Sequence, residues 1–311
     1  MYKVFLLFII FLTLGCITNK QEKPINPHTE NIELSKDSIT KLKFDDTSSN
    51  ENKKVIDTII DTLEITDTIK ETNLTEEIIK EKTIVKEKVK KEVDKKIRPN
   101  HTAWNLLTKK YVSSSGKVNY KGFKSNISQI ETYLLHLQKT PPKKDWTKNE
   151  KLAYWFNLYN AATIQLISNA YPVKSIKDIN RGKPWDKKFI KSGNKTYSLN
   201  QIENTIVRPN FNEPRLHVAF NCAAVSCPKL LNEAFTPSKL NSQLNKLSRA
   251  WINDPSKNKI TANSIKISKI FEWYAIDFKK GVIPFINTYA NVKANKAQKI
   301  QYLEYNWDLN D

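Results

Sequence analysis

Residues 152–168, LAYWFNLYNAATIQLIS, place apolar or aromatic side chains on every face of a helix. A helix apolar all round has no face to give to water, so the rest of a domain has to cover it. Thr147, with Glu150 three residues on, reads as a capping box that opens this helix. Asn157 and Asn160 are its polar insert, flanked by Tyr154 and Tyr159. A buried amide left without hydrogen bonds costs about 1–3 kcal/mol. The two asparagines therefore either tie the helix to a neighbouring segment or serve as orienting, oxyanion-type donors lining a pocket.

The covering material has to come from residues 99–311. All seven tryptophans lie between 104 and 307, whereas 17–98 contains no Trp, Tyr or Cys. Residues 1–98 hold 18 Lys+Arg against 18 Asp+Glu, with short motifs that recur loosely (IIDT, ITDT, IIKEK, IVKEK). Such a segment buries too little apolar surface to offset chain entropy, so 17–98 reads as a solvated stalk, extended or disordered. A marginal helix is expected over 75–96, where Ile78, Val85, Val89 and Val93 form a stripe.

Within 99–311 the expected elements are short. A turn at Tyr171-Pro172 ends the long helix, and a hairpin turns at Gly193-Asn194. Asn200, with Glu203 three residues on, reads as a second capping box opening a helix to about Arg208. RLHVAF (215–220) alternates and predicts a strand. Thr236-Pro237 predicts a helix start, with Leu240, Leu244, Leu247 and Trp251 at helical spacing. KITANSIKIS predicts a hairpin, Phe271–Phe278 and Pro284–Tyr289 short helices, and YLEYNW a last strand. The class expected is α+β: one mostly helical domain with a small antiparallel sheet.

The first sixteen residues, MYKVFLLFIIFLTLGC, hold one Lys, then an apolar run too short to span a bilayer but suited to a signal peptide core. Leu14-Gly15-Cys16 resembles a lipoprotein lipobox, with Thr13 where Leu is usual. Cys16 is then the expected lipidation site, holding the protein to a membrane through acyl chains that each contribute about 0.8 kcal/mol per buried CH₂. Ile17 is not the Asp that marks inner-membrane retention, so the expected location is the cell envelope, at the outer membrane.

The whole formal charge of +19 falls in 99–311, since the stalk balances. Only four of the cations there are Arg (181, 208, 215 and 249), whereas phosphate recognition favours Arg forks, so nucleic acid is not the expected partner. An anionic envelope polymer or a protein partner fits the charge better.

RLHVAFNCAAVSCPKL (215–230) holds both remaining cysteines and one of the four histidines. On an extended strand His217 and Cys222 stand about 16 Å apart, too far for the imidazole to take the thiol proton. Three readings remain for the thiols: a Cys222–Cys227 disulfide, buried inert thiols, or a functional thiol. The disulfide closes a small loop and contributes about 2–3 kcal/mol. Two Cys and one His fall one ligand short of a structural zinc set, so neither a metal nor any other cofactor is expected.

Three ordered stretches, NEKLAYWFNLYNAATIQLI, SLNQIENTIVRPNFNEPRLHVAFNCAAVSCPKLLNEAFT and SKIFEWYAIDF, with the ending YLEYNWDLN, together resemble the domain of unknown function 547 family. The resemblance runs over 101–311 and implies a domain found in bacterial envelope proteins. The family's most recognisable positions fall on Asn157, Tyr159, Asn160, Glu203, Arg215, His217, Cys222 and Pro228, while Val218 stands where an aromatic residue is common. By analogy such a set suits a papain- or transglutaminase-like thiol site. In that reading Cys222 is the nucleophile, His217 the base, Asn157 and Asn160 orient, and Arg215, Glu203 and Tyr159 bind. The preferred reading is an anchored module that binds an envelope polymer or protein partner. Limited proteolysis followed by mass measurement should cut within 17–98 and leave an intact fragment starting near residue 99; resistance across 17–98 would mean the stalk is folded.

Overall fold

The computed structural model of the protein describes residues 80, 83–87, 97–261, 263–295 and 299–311. All of them belong to the second of two units into which the chain divides, Glu71–Asp311. The leader, the lipobox with Cys16 and most of the stalk lie outside the described residues; residues 83–87 are helical and exposed. No helix among the described residues is long and apolar enough to cross a membrane.

The all-apolar helix is the axis of the fold, Lys148–Ala170, buried almost continuously from Leu152 to Ser168. Thr147 Oγ1 accepts from Glu150 N at 3.2 Å while Glu150 Oε2 accepts from Thr147 N at 2.6 Å, so the capping box is closed in both directions. Arg98 Nε adds a bond to Glu150 Oε1 at 2.6 Å. One side of the axis is covered by helices Tyr120–Lys124 and Ile127–Lys139, and helix Thr102–Tyr111 packs against both of these. Their core is aromatic, with Trp104 stacked between Phe123 and Tyr133. Helices Leu240–Ile252 and Val282–Tyr289 pack together, the first also against the segment around His217.

The hairpin at Gly193 forms as β1 (Ile190–Ser192) and β2 (Lys195–Tyr197). A second hairpin pairs β3 (Lys259–Ile260) with β4 (Ile265–Ile267), and β5 (Ile300–Tyr302) joins β4 in parallel. The fold class is α+β. One sheet is mixed rather than antiparallel, because β5 arrives by a crossover through two helices instead of a turn.

Three local expectations are corrected. Residues 215–220 are not a strand: Pro214–Val218 form a 3₁₀ helix, and Glu213 accepts from Arg215 N at its start. Proline's fixed φ suits a first helical position, and every side chain from Leu216 to Asn221 is buried, so the alternation marked no exposed face. Asn200 caps nothing, being itself helical; the reciprocal box lies two residues earlier, with Ser198 Oγ accepting from Gln201 N and Gln201 Oε1 from Ser198 N. A π-helix, Gln201–Val207, follows, which is a form that recurs at functional sites. The helix expected at Pro237 starts at Leu240, because Thr236 N is held by Gln243 Oε1.

At the edge of the first helical layer His101 is buried, its Nδ1 2.7 Å from Tyr133 Oη, and its pKa falls from 6.5 to about 4 through burial and the neighbouring His136. His136 is also lowered by burial, and its Nε2 accepts from Asn100 N at 2.9 Å, which requires the neutral ring. A histidine held neutral in the fold contributes stability that is whole above about 6.5 and is lost as pH falls toward 4. Denaturant unfolding of the full chain should therefore show a loss approaching about 3 kcal/mol between pH 7 and 4, and a His101→Gln variant should flatten that slope.

Candidate functional site

Both asparagines of the axial helix spend their amides on backbone. Asn157 Nδ2 donates to Phe235 O at 2.8 Å and its Oδ1 accepts from Phe235 N at 2.9 Å. Asn160 does the same two segments away, donating to Ala219 O at 2.8 Å and accepting from Asn221 N at 3.0 Å. Neither lines the cleft described below. Arg215 is also placed elsewhere: its fork pairs with Glu213 at 2.6 Å and reaches Asn241 and Asn245 on helix Leu240–Ile252.

After Asn221 the chain reverses. Asn221, itself buried, donates to Pro228 O at 2.8 Å and accepts from Ala223 N at 2.9 Å. Ala223 stands at φ 61°, the left-handed region that costs a non-glycine residue about 1 kcal/mol or more. The C-terminal strap then lies along the reversed loop: Val225 N donates to Asp308 O at 2.8 Å, Ser226 N to Asn306 O at 3.1 Å and Asn310 N to Ala223 O at 3.2 Å. Cys222 and Cys227 are joined as a disulfide with Cα atoms 6.2 Å apart. Cys222 Sγ also lies 3.0 Å from Tyr305 Oη on the strap.

This reversal brings His217 and Cys222 to one cleft of ≈ 440 Å³, together with Tyr159, Glu203 and Cys227. The separation of about 16 Å expected for an extended chain does not apply, because the segment is helical and then turned. No hydrogen bond joins imidazole to sulfur among the described residues: His217 Nε2 lies 2.8 Å from Asp277 Oδ2. Arg208 grips the same carboxylate from behind, Nε to Oδ2 at 2.7 Å and Nη2 to Oδ1 at 3.1 Å. Burial works to raise the Asp277 pKa, but the bonds and charges of His217 and Arg208 outweigh it and hold the carboxyl at about 2. An ionised carboxylate can only accept, so His217 carries a hydrogen on Nε2, which leaves Nδ1 as the nitrogen that can exchange a proton with the cleft. The Tyr274 ring lies under the imidazole, centroids 4.4 Å apart, with the Arg208 guanidinium 4.7 Å from its centre.

Glu203 shows the opposite balance. Burial raises its pKa against the opposing pull of His217, Tyr274, Arg208 and Tyr159. Tyr159 Oη donates to its Oε2 at 3.4 Å. One cleft thus holds a carboxyl pushed toward the neutral acid and a histidine oriented by a permanent carboxylate, the pairing from which general acids and bases are made. Above this floor rise aromatic walls: Trp185, Trp273, Tyr305 and Trp307, linked by ring contacts of 4.5–6.0 Å. Trp273 is 45% exposed, unusual for a residue with that much apolar surface.

Comparison with known proteins bears on this cleft directly. Residues 143–252 match the family model described as "Protein of unknown function, DUF547". That stretch is a DUF547 domain. No curated protein and no solved structure matches the chain. The DUF547 match includes Tyr159, Glu203, His217, Cys222 and Cys227, and ends before Tyr274, Asp277, Tyr305 and Trp307. The cleft is therefore completed by chain that follows the DUF547 match.

Asp277, Tyr274 and Arg208 are site residues that sequence reasoning passed over, as are the aromatic walls Trp185, Trp273, Tyr305 and Trp307. A signal existed in WYAIDF: Tyr274 and Asp277 are three apart, and in a 3₁₀ turn such side chains lie on the same side. No group of three or more His, Cys, Asp or Glu that could hold a metal ion occurs among the described residues. Because the fold raises the Glu203 pKa, that carboxyl stabilises the folded state at acid pH and loses the contribution as pH rises. Glu203→Gln should therefore be more stable than the parent at pH 8 by denaturant unfolding, with the gap closing toward pH 4.5; an equal gap at both pH values would refute the assignment.

Proposed function

We propose that the protein is a lipid-anchored envelope module whose cleft binds an extended envelope polymer between aromatic walls. One observation carries this reading: Trp273, Tyr305 and Trp307 stand in mutual contact, with Trp185 against Trp307, around a cleft floored by Glu203 and His217, and Trp273 is half exposed. Flat amphipathic rings give a large contact area at little conformational cost, and the floor supplies polar groups that fix orientation. Lys177 lies 5.1 Å from the Trp307 ring centre, placing a cation against one of the aromatic walls. The +19 charge carried by 99–311 adds attraction for acidic polymers. Lipid on Cys16 and the charged stalk would hold this domain away from an outer membrane surface. Titrating the full chain with acidic envelope polysaccharide should quench tryptophan fluorescence saturably and less at high salt. Trp273→Ala with Trp307→Ala should weaken that binding by about tenfold or more, and equal binding by the double variant would overturn the reading.

A second reading has its own observation. His217, oriented by Asp277, shares the cleft with Cys222, so a candidate base and a candidate nucleophile meet at one site, which supports a thiol-dependent hydrolase or transferase acting on peptide or amide bonds.

A further inference from the structure

The Cys222–Cys227 disulfide is not needed to shape the loop that contains it. Asn221 alone ties that loop at three points: its N–H to Asn160 Oδ1, its amide to Pro228 O, and its Oδ1 to Ala223 N. Cys227 N donates to Ala224 O at 3.0 Å, closing the turn through backbone. The strap adds bonds at Ala223, Val225 and Ser226, an isolated bridge from Ala224 to Leu309, and Ser226 Oγ accepting from Asn306 N at 2.8 Å. A ring of so few residues removes less unfolded-chain entropy than a long one would, about 2 kcal/mol. Both cysteines, moreover, line the cleft, Cys222 half-buried and Cys227 buried.

We infer that the disulfide is the masked, resting form of a thiol site in which Cys222 is the nucleophile, His217 the base and Asp277 the positioning residue. The inference rests on the second reading above and adds its regulation and its third member. Unmasking takes a dithiol reductant. Its thiolate attacks one sulfur of the pair to form a mixed disulfide, and its second thiol displaces that sulfur. Two electrons and two protons pass to Cys222 and Cys227 while the reductant leaves as its own disulfide. Because the loop is held by bonds that reduction does not touch, Cys222 Sγ stays beside Tyr305 Oη, a phenol kept protonated by burial and therefore able to donate to a thiolate. The Cys222 proton passes to His217 Nδ1, the nitrogen left basic by the Nε2–Asp277 bond. The thiolate then attacks an amide carbonyl, forming a thioester as the amine departs with the imidazolium proton; water or a second amine releases the acyl group. The imidazolium is stabilised by Asp277, itself neutralised in part by Arg208.

The test is iodoacetamide mass-tagging of the full chain, with and without dithiothreitol, beside a Cys227→Ser variant. Untreated protein should take no label at 222. Reduced protein and Cys227→Ser should label there at neutral pH at least about tenfold faster than free cysteine, as expected of a thiol with a depressed pKa. Asp277→Asn should slow labelling and move its pH profile to higher pH, while Asp277→Glu should restore part of both; an unmoved profile would leave Asp277 without a positioning role and overturn that assignment. Reaction of Cys222 in Cys227→Ser and in reduced protein at the rate of free cysteine would sink the thiol reading altogether. Fast reaction that is the same in untreated and reduced parent protein would leave a reactive thiol standing but overturn the mask.

Discussion

One buried amide sets the position of everything in the cleft. Asn160 stands on the most buried helix of the domain and takes hold of the chain at Ala219 and Asn221, between His217 and Cys222. A side-chain amide bonded at both ends to backbone fixes the register of that segment, since a slip of one residue would leave buried donors and acceptors unpaired, each costing about 1–3 kcal/mol. Asn157 fixes the next pass of the chain at Phe235 in the same way. The two polar residues in an otherwise apolar helix are thus the points at which the scaffold takes hold of the site.

From that anchor the site is completed by partners far apart in sequence. Asp277 bonds the imidazole and is itself held by Arg208, while the C-terminal strap brings Tyr305 against the Cys222 sulfur and Trp307 to the cleft. Partly buried charge is tolerable here because each group of the Arg208–Asp277–His217 set is matched by the next. Glu203 is not matched so well, and its carboxyl is held where it would rather be neutral. Perturbed carboxyls such as Glu203 and left-handed non-glycine residues such as Ala223 are features that cluster at functional sites.

Much of the fold was legible in local signals. The capping box at Thr147, the axial helix, the hairpins at Gly193 and at 259–267, and the α+β class all follow from spacing a few residues long. The segment 215–220 misled because alternation of apolar residues identifies a strand only when the other face is wet, and here both faces are buried. Glu203 was given to a cap by the same kind of local reasoning, although Ser198 and Gln201 do that work and release it into the cleft. Of the site itself, Tyr159, Glu203, His217 and Cys222 were recognised, but not what they face.

By itself the sequence marked 99–311 as chain able to bury a core, because its aromatic content supplies the apolar surface before any contact forms, and the core from Trp104 to Leu309 lies there. It also determined where the axial helix begins, since Thr147 and Glu150 satisfy its orphan N–H groups within three residues. Only the tertiary structure decided that His217 and Cys222 share a cleft, that Asp277 from sixty residues on orients the imidazole, and that β5 runs parallel. A fully buried segment takes the backbone its surroundings can hydrogen-bond, and those surroundings come from chain too distant for local spacing to foretell.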